Sequence, residues 1–335
     1  MRRLAGGILV MMTVAAVTAG TPALQRDPQG DPSHQTVTKA DYERWKAGQQ
    51  TSLPSNWGRW GKDDEIGTLN LITPAKRKQA AALVKEGVSL SLAVDANTVK
   101  AVDNANPYDV VMLTPGSDRI SVAHHGVAHT HLDSLAHHFD FGGAGYNGYK
   151  PDETVAMKQG HSRNSIYNLK NGVFTRGVLL DLPRVKGLPY LEPGTPIYIE
   201  DLEAAEKMAG VKVQPGDALF IRTGVWPYRA KFGPYARGRN GKAAGLHPSV
   251  IPWLKQRDPA VLSMDQPIAL SPSDIPGAVH DFSMVALGIH LIDNSDPEAV
   301  AVKAASSKRW EFLVTFAPLP IRGATGSAIN PIATF

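Results

Sequence analysis

Hydrophobic positions along the chain form short runs that are typical of strands more often than of helices. Such runs predict strands at residues 88–94, 110–113, 120–123, 173–182, 195–198, 217–222, 260–264 and 310–316. Helical spacing predicts helices at residues 39–47, 74–84, 199–209, 247–255 and 279–287. Because strands dominate and helices interleave only in part, we expect an α/β fold with a mixed sheet and a helical layer, not a doubly wound Rossmann fold.

The amino terminus carries a basic start, a short apolar stretch and then small residues. Arg2 and Arg3 precede an apolar run over residues 4–17, and Ala19 or Ala23 can serve as the cleavage site. The run is short for a membrane span, although a retained anchor is the alternative. We therefore predict a signal peptide at residues 1–19, a linker and N-terminal arm at 20–54, and one domain at 55–335. The expected location is outside the cytoplasm, periplasmic or secreted, with no membrane partner after signal removal.

Composition narrows the possible chemistry. The net charge is +4, but the Lys and Arg residues are scattered without a basic stripe, so nucleic-acid binding is not expected. The chain has no cysteine, which excludes disulfides and thiolate ligands. No Gly-x-Ser-x-Gly or His-Glu-x-x-His motif occurs, which disfavours a serine hydrolase elbow and a thermolysin-like site. Any metal must therefore be held by histidine, carboxylate, amide or water.

The histidine distribution is the main functional signal. Six of the eleven histidines lie between His124 and His138. In an extended segment, His129, His131 and Asp133 would project from one face, and His125 shares their parity but lies beyond Gly126. Imidazoles with a carboxylate suit a divalent ion such as zinc or manganese. We therefore predict His129, His131 and Asp133 as metal ligands.

Further residues could complete this site. His280 begins a predicted helix and Asp293 ends a short predicted strand, so both could converge on the metal, unless they are only a cap and a turn residue. His137 lies four residues beyond Asp133 and is a candidate general base and acid, the alternatives being another ligand or a residue that supports a ligand. Asp265 ends an apolar run, and it could orient a ligand histidine or only form a turn.

At these residues the chain resembles the cyclase-type metal-dependent hydrolases, the family that includes bacterial kynurenine formamidase and isatin hydrolase. The family motif is H-x-G-T-H-x-D-x-P-x-H, and Thr130, His131, Asp133 and His137 match it in register. Val127 replaces the first histidine, which leaves His129 as its expected substitute. By resemblance, His131 and Asp133 bind metal and His137 is catalytic. His280 and Asp293 resemble the family's distant histidine and acid.

The resemblance also carries expectations about fold, activity and partners. It implies a single catalytic domain of swivelling β/β/α architecture and a homodimer or higher oligomer. It implies hydrolysis of an amide, cyclic amide or ester-like bond in a small molecule, as in arylformamidases and isatin hydrolases. Two other functions stay open: an exported metal-binding protein without catalysis, and a lyase or cyclase on the same fold.

Overall fold

The computed structural model describes residues 37–151, 155–156, 160–238 and 241–335, with only the backbone at 155–156. The predicted signal peptide at residues 1–19 and residues 20–36 of the predicted linker lie outside the described residues. Within the described ranges, no helix has the length and apolarity that crossing a bilayer requires.

A nine-stranded mixed sheet forms the centre of the fold. Its strands, in spatial order, are β1 (Ser89–Ser91), β15 (Ile332–Thr334), β13 (Glu311–Phe316), β7 (Val173–Asp181), β9 (Ala218–Arg222), β11 (Val261–Met264), β12 (His290–Asp293), β4 (His131–Asp133) and β14 (Gly326–Ala328). The four middle strands β7, β9, β11 and β12 run parallel, and every other neighbouring pair is antiparallel. The predicted mixed sheet is therefore confirmed.

Smaller elements surround the sheet. Within the described residues, three strand pairs lie outside it: β2 (Asp109–Thr114) with β3 (Ser117–Ser121), β5 (Val155–Ala156) with β6 (Gly160–His161), and β8 (Pro196–Ile197) with β10 (Gly245–Leu246). The α-helices in the described part of the chain are Lys39–Lys46, Pro74–Ala81, Leu182–Val185, Ile199–Ala209, Val225–Phe232, Ile251–Arg257, Ala278–Val285 and Glu298–Ser307. Short 3₁₀ turns occur at Gly67–Leu71, Tyr146–Gly148, Ile166–Leu169 and Pro248–Val250.

Both faces of the central strands are buried, which explains their continuous apolar sequences. In β9, Leu219 and Ile221 belong to one hydrophobic cluster, and Phe220 between them belongs to the cluster on the opposite face. The first cluster includes residues from the helices Ile199–Ala209, Ile251–Arg257 and Ala278–Val285. That face also carries the candidate site described below.

The N-terminal arm is packed into this core from residue 37 onward. Its helix Lys39–Lys46 follows Thr38, whose side chain caps the first turn. Tyr42 and Trp45 are buried, and the ring of Trp45 lies 4.7 Å from that of Phe282. The arm thus contacts the helix Ala278–Val285, which bears one of the predicted ligands.

Candidate metal centre

Strand β4 positions the first two residues of the site. It lies between β12 and β14, and His131 and Asp133 point to one face while Leu132 enters the hydrophobic cluster on the other. The antiparallel register places Asp293 of β12 directly opposite His131. A period-two alternation in two adjacent strands therefore brings three candidate ligands to the same side of the sheet.

Two imidazoles approach one oxygen of the Asp133 carboxylate. His125 Nδ1 lies 2.8 Å and His131 Nε2 lies 3.5 Å from Asp133 Oδ1. The other nitrogen of His131, Nδ1, donates a hydrogen bond of 2.8 Å to the backbone oxygen of His129. Because this bond uses Nδ1, Nε2 is the nitrogen of His131 that faces Asp133 and can bind a metal.

The second oxygen of Asp133 faces a different pair. His280 Nε2 lies 3.5 Å from Asp133 Oδ2 and 3.5 Å from Asp293 Oδ2. His280 is in the first turn of the helix Ala278–Val285, which begins after Gly277 with φ of 75°. The convergence predicted for His280 and Asp293 is therefore present, and one carboxylate joins two groups of donors, with His125 and His131 on one side and His280 and Asp293 on the other.

The donor set fits a cation. Asp133 is fully buried, and neither of its carboxylate oxygens accepts a hydrogen bond. A buried carboxylate without donors is costly unless another positive group compensates it. Burial raises the pKa of Asp133, but the nearby imidazoles of His131, His125 and His280 outweigh burial and hold that pKa well below its usual value. The carboxylate is therefore ionised because protonated imidazoles surround it, and a divalent ion would replace those protons.

The electrostatics of His280 lead to the same conclusion. Burial lowers the pKa of His280, but the carboxylates of Asp133, Asp281 and Asp293 outweigh burial and raise this pKa well above its usual value. These acids favour positive charge at this position. A proton and a metal ion would therefore compete for the Nε2 atom of His280, as is general for metal ligands.

His137 lies beside the cluster without joining a ligand group. Its backbone N–H donates to Ser134 O in a turn after β4, and its ring stacks on that of His125 with centroids 4.0 Å apart and planes 2° from parallel. Burial, partly opposed by the charge of Asp133, lowers the pKa of His137 to about 3. His137 is therefore a neutral imidazole at neutral pH, close to the ligands.

The structure does not bring His129 into this cluster. The strand that was expected to include it begins only at His131, so the alternation of side chains does not extend back to His129. His129 Nε2 instead donates to the backbone oxygen of Asn106 at 2.9 Å, and its ring packs edge-on against Tyr108. The assignment of His129 as a ligand is corrected by this geometry, and the backbone oxygen of His129 has a role in orienting His131.

His125 takes the place expected of His129. Gly126 has φ of 135°, a conformation that L side chains rarely adopt, and this residue redirects the chain so that His125 returns to Asp133. In the sequence, His125 has the same position in the two-residue strand repeat as His131 and Asp133. Because Gly126 interrupts the strand, this repeat alone could not identify His125 as a ligand.

Gly326 is a further site residue without a sequence signal. It lies opposite Asp133 in the pairing of β14 with β4. A Cβ atom on Gly326 would be 2.6 Å from the backbone oxygen of Leu132 and 2.9 Å from Cε1 of His125. The absence of a side chain here leaves the space that the His125 ring occupies.

Polar residues behind His280 form a second layer. His138 Nδ1 lies 2.9 Å from Asp140 Oδ2 and 3.3 Å from Asp281 Oδ1. His280 Nδ1 lies 3.6 Å from Asp281 Oδ1, and Lys46 of the N-terminal arm lies 3.8 Å from Asp281 Oδ2. These contacts hold the side of His280 that faces away from Asp133.

Asp265 does not orient any of these histidines. Its carboxylate accepts hydrogen bonds from Thr223 N, Thr223 Oγ1 and Gly224 N at 2.7–2.9 Å, and from Val225 N at 3.2 Å. Asp265 therefore binds the backbone N–H groups at the start of the helix Val225–Phe232. The proposed role of Asp265 beside the metal is corrected accordingly.

Comparisons with known proteins agree with this architecture. A family model described as "Putative cyclase" matches residues 88–269, which is more than half of the chain. A crystal structure described as a novel cyclase is 29% identical, covers 84% of this chain and 98% of its own, and superposes with a TM-score of 0.75. A comparison with curated proteins gives no match.

Two isatin hydrolase structures share the fold at lower identity. Isatin hydrolase A from Labrenzia aggregata, bound to benzyl benzoate, is 14% identical, covers 76% of this chain and 96% of its own, and gives a TM-score of 0.51. An isatin hydrolase bound to the product analogue thioisatinate is 14% identical, covers 76% of this chain and 94% of its own, and gives a TM-score of 0.50. At these identities the likeness concerns the fold.

Proposed function

Because the chain belongs to the putative cyclase family, we propose that it is a metal-dependent hydrolase that cleaves an amide, cyclic amide or ester-like bond in a small molecule. The observation that carries this proposal is Asp133, a fully buried carboxylate whose oxygens accept no hydrogen bond and face imidazoles on both sides. The fold shared with isatin hydrolases supports the reaction class. The proposed substrates are formyl-arylamines, isatin-like cyclic amides and lactones.

The residues that would hold metal form two groups that share Asp133. His125 and His131 face its Oδ1 atom, and His280 with Asp293 faces its Oδ2 atom. Each group could hold one divalent ion, and Asp133 would contribute an oxygen to both. Histidine nitrogen and carboxylate oxygen suit zinc and manganese, and with no cysteine in the chain a thiolate-rich site is excluded.

The chain's own residues supply the remaining chemistry. A divalent ion bound here would lower the pKa of water towards about 7 and polarise the substrate carbonyl. His137 is placed to accept a proton, because its ring stacks on that of His125 beside the ligands. The same imidazole can return that proton to the leaving nitrogen or oxygen. The hydrogen bond from His131 to the backbone oxygen of His129 fixes the orientation of the His131 ring.

The test compares turnover and metal content in matched variants. Wild type, His137→Ala, His131→Ala and the control His129→Gln are loaded with zinc or manganese and assayed on formyl-arylamines, isatin and small lactones. We expect His137→Ala to keep its metal and to lose activity by a factor of about 10² or more. His131→Ala should lose both metal and activity, and His129→Gln should lose neither.

The outcomes separate the alternatives. If the wild type binds metal with full stoichiometry but turns over none of these substrates, a non-catalytic metal-binding protein would be favoured. Products that together contain only the atoms of the substrate, with no water added, would indicate a lyase or cyclase. Equal activity in wild type and His137→Ala would contradict the role of His137.

Export and self-association are further proposals. The N-terminal pattern of residues 1–19 supports export, and the family supports a homodimer or higher oligomer. Amino-terminal sequencing of the protein from the cell envelope fraction should start at Gly20 or Leu24. A chain that still begins at Met1 would contradict cleavage, and a monomer in sedimentation would contradict the oligomer.

A further inference from the structure

A cavity of about 450 Å³ lies against Ala128, in the chain segment that separates His125 from His129. Its apolar wall includes Val94, Ala128 and Trp226, and its polar wall includes Asn104 and Arg237. This volume is in the range of pockets that hold small organic molecules. None of the metal-ligand candidates lines it, so the cavity is distinct from the metal centre.

Arg237 is the unusual feature of this cavity. The residue is only 3% exposed, and its Nε and Nη1 groups have no hydrogen-bond acceptor. Its Nη2 group donates to the backbone oxygen of Val127, and its guanidinium packs over the ring of Trp226 at 5.0 Å. A buried guanidinium keeps its charge and normally uses its donors. Two donor groups of Arg237 are therefore available to a ligand.

The local charges leave Arg237 only partly compensated. Asp103 is bound by Arg229 through two contacts of 2.6 and 3.1 Å, while its distance to Arg237 is 3.6 Å. Two buried or half-buried guanidinium groups thus share one carboxylate. Burial lowers the pKa of Arg237, and the charge of Asp103 partly opposes that effect. An additional carboxylate would supply the acceptors that Nε and Nη1 of Arg237 lack.

Two other acids limit the kind of anion that fits. Asp95 is exposed at the rim, and half-buried Asp296 also lines the cavity. Asp296 already accepts a hydrogen bond from Glu298 N, and burial followed by the charge of Asp95 raises the pKa of Asp296. Their repulsion would act against phosphate and dicarboxylates, which carry more than one negative charge.

From these contacts we infer that the cavity binds the carboxylate of a small, singly charged organic acid, with Arg237 as its donor. The apolar wall would hold the remainder of the molecule. This inference concerns binding alone, and it does not depend on the hydrolytic activity proposed above.

The test is calorimetric titration of the full chain with benzoate, hexanoate, glutarate and inorganic phosphate. Arg237→Gln removes the donor, and Thr98→Trp fills the cavity from an exposed lining position with little risk to folding. Arg163→Gln changes a distant exposed arginine that pairs with Glu65 and serves as the matched control. Wild type treated with a chelator to remove metal tests whether a metal ion is the true binding partner.

We expect benzoate or hexanoate to bind wild type, chelator-treated wild type and Arg163→Gln alike. Arg237→Gln should weaken this binding about tenfold or more, the loss typical of a hydrogen bond to a charged group, and Thr98→Trp should weaken it because the larger side chain occupies the cavity. Undiminished binding in Arg237→Gln, loss of binding after chelation, or tighter binding of phosphate than of benzoate would each overturn the inference. Absence of any carboxylate binding to the wild type would overturn it as well.

Discussion

Replacing Gly326 with alanine tests how closely β14 must approach the metal centre. The added Cβ would lie 2.6 Å from the backbone oxygen of Leu132, whereas ordinary contacts of Cβ atoms begin at 3.4 Å. The difference, 3.4 − 2.6 = 0.8 Å, must come from movement of backbone. Leu132 belongs to β4, which is held between β12 and β14, so the strand has little freedom to move.

The limited freedom of β4 determines how much Gly326→Ala should lower the free energy of unfolding. Overpacking in a buried region typically destabilises a protein by about 1–3 kcal/mol, and the upper part of that range applies because the contacted atom is backbone in the sheet. The same Cβ would be 2.9 Å from Cε1 of His125, so this ring must also move. We therefore expect Gly326→Ala to weaken metal binding about tenfold, as is common when the support of a ligand is disturbed.

The assay is guanidinium unfolding of metal-free protein, followed by metal titration of the folded variant. Gly116→Ala is the matched control, because Gly116 has no heavy atom within 4 Å of its added Cβ. The control should stay within about 0.5 kcal/mol of wild type. If Gly326→Ala were equally stable and bound metal normally, the proposed contact between β14 and the His125 ring would be refuted.

The remaining predictions concern the ligands and two structural contacts. His125→Ala should lower the metal retained after dialysis, measured by mass spectrometry, whereas His129→Gln should not. Loss of metal in His129→Gln with full retention in His125→Ala would contradict the ligand assignment. Trp45→Ala should lower the free energy of unfolding by about 3–5 kcal/mol in urea melts, because its ring is buried in the core; a loss below about 1 kcal/mol would show that the arm is dispensable. Asp217→Ala should lower the free energy of unfolding by about 3–5 kcal/mol in the same melts, because the buried side chains of Arg176 and Lys76 both lose the carboxylate that they contact. Arg176 keeps its bond to Glu311. An unchanged midpoint would contradict this.

Part of the metal centre could be predicted from local sequence because strands have a fixed period. His131 and Asp133 share a face for this reason, and Asp293 ends a strand whose partner could not be known from the sequence. His125 reaches the site only through the turn at Gly126. The register that places Gly326 beside the His125 ring is a long-range pairing, which no local pattern encodes.

The fold shows the same division between local and long-range information. The helix Ile199–Ala209 has the predicted bounds, because its apolar spacing and the terminal Gly210 are local signals. The helix Val225–Phe232 was not predicted, because Gly224 and Pro227 are residues that usually indicate a turn. Proline is nevertheless tolerated in the first turn of a helix. The strand Gly326–Ala328 is short and lacks apolar alternation, and only its pairing with β4 defines it.

Crystals grown with zinc or manganese and measured at the metal absorption edge test the central claim most directly. The account predicts anomalous density on both sides of Asp133, one peak within bonding distance of His125 and His131 and one within bonding distance of His280 and Asp293, at about 2.0–2.2 Å from the ligand atoms. An absence of anomalous density near Asp133, with its oxygens accepting hydrogen bonds from protein groups instead, would contradict the account.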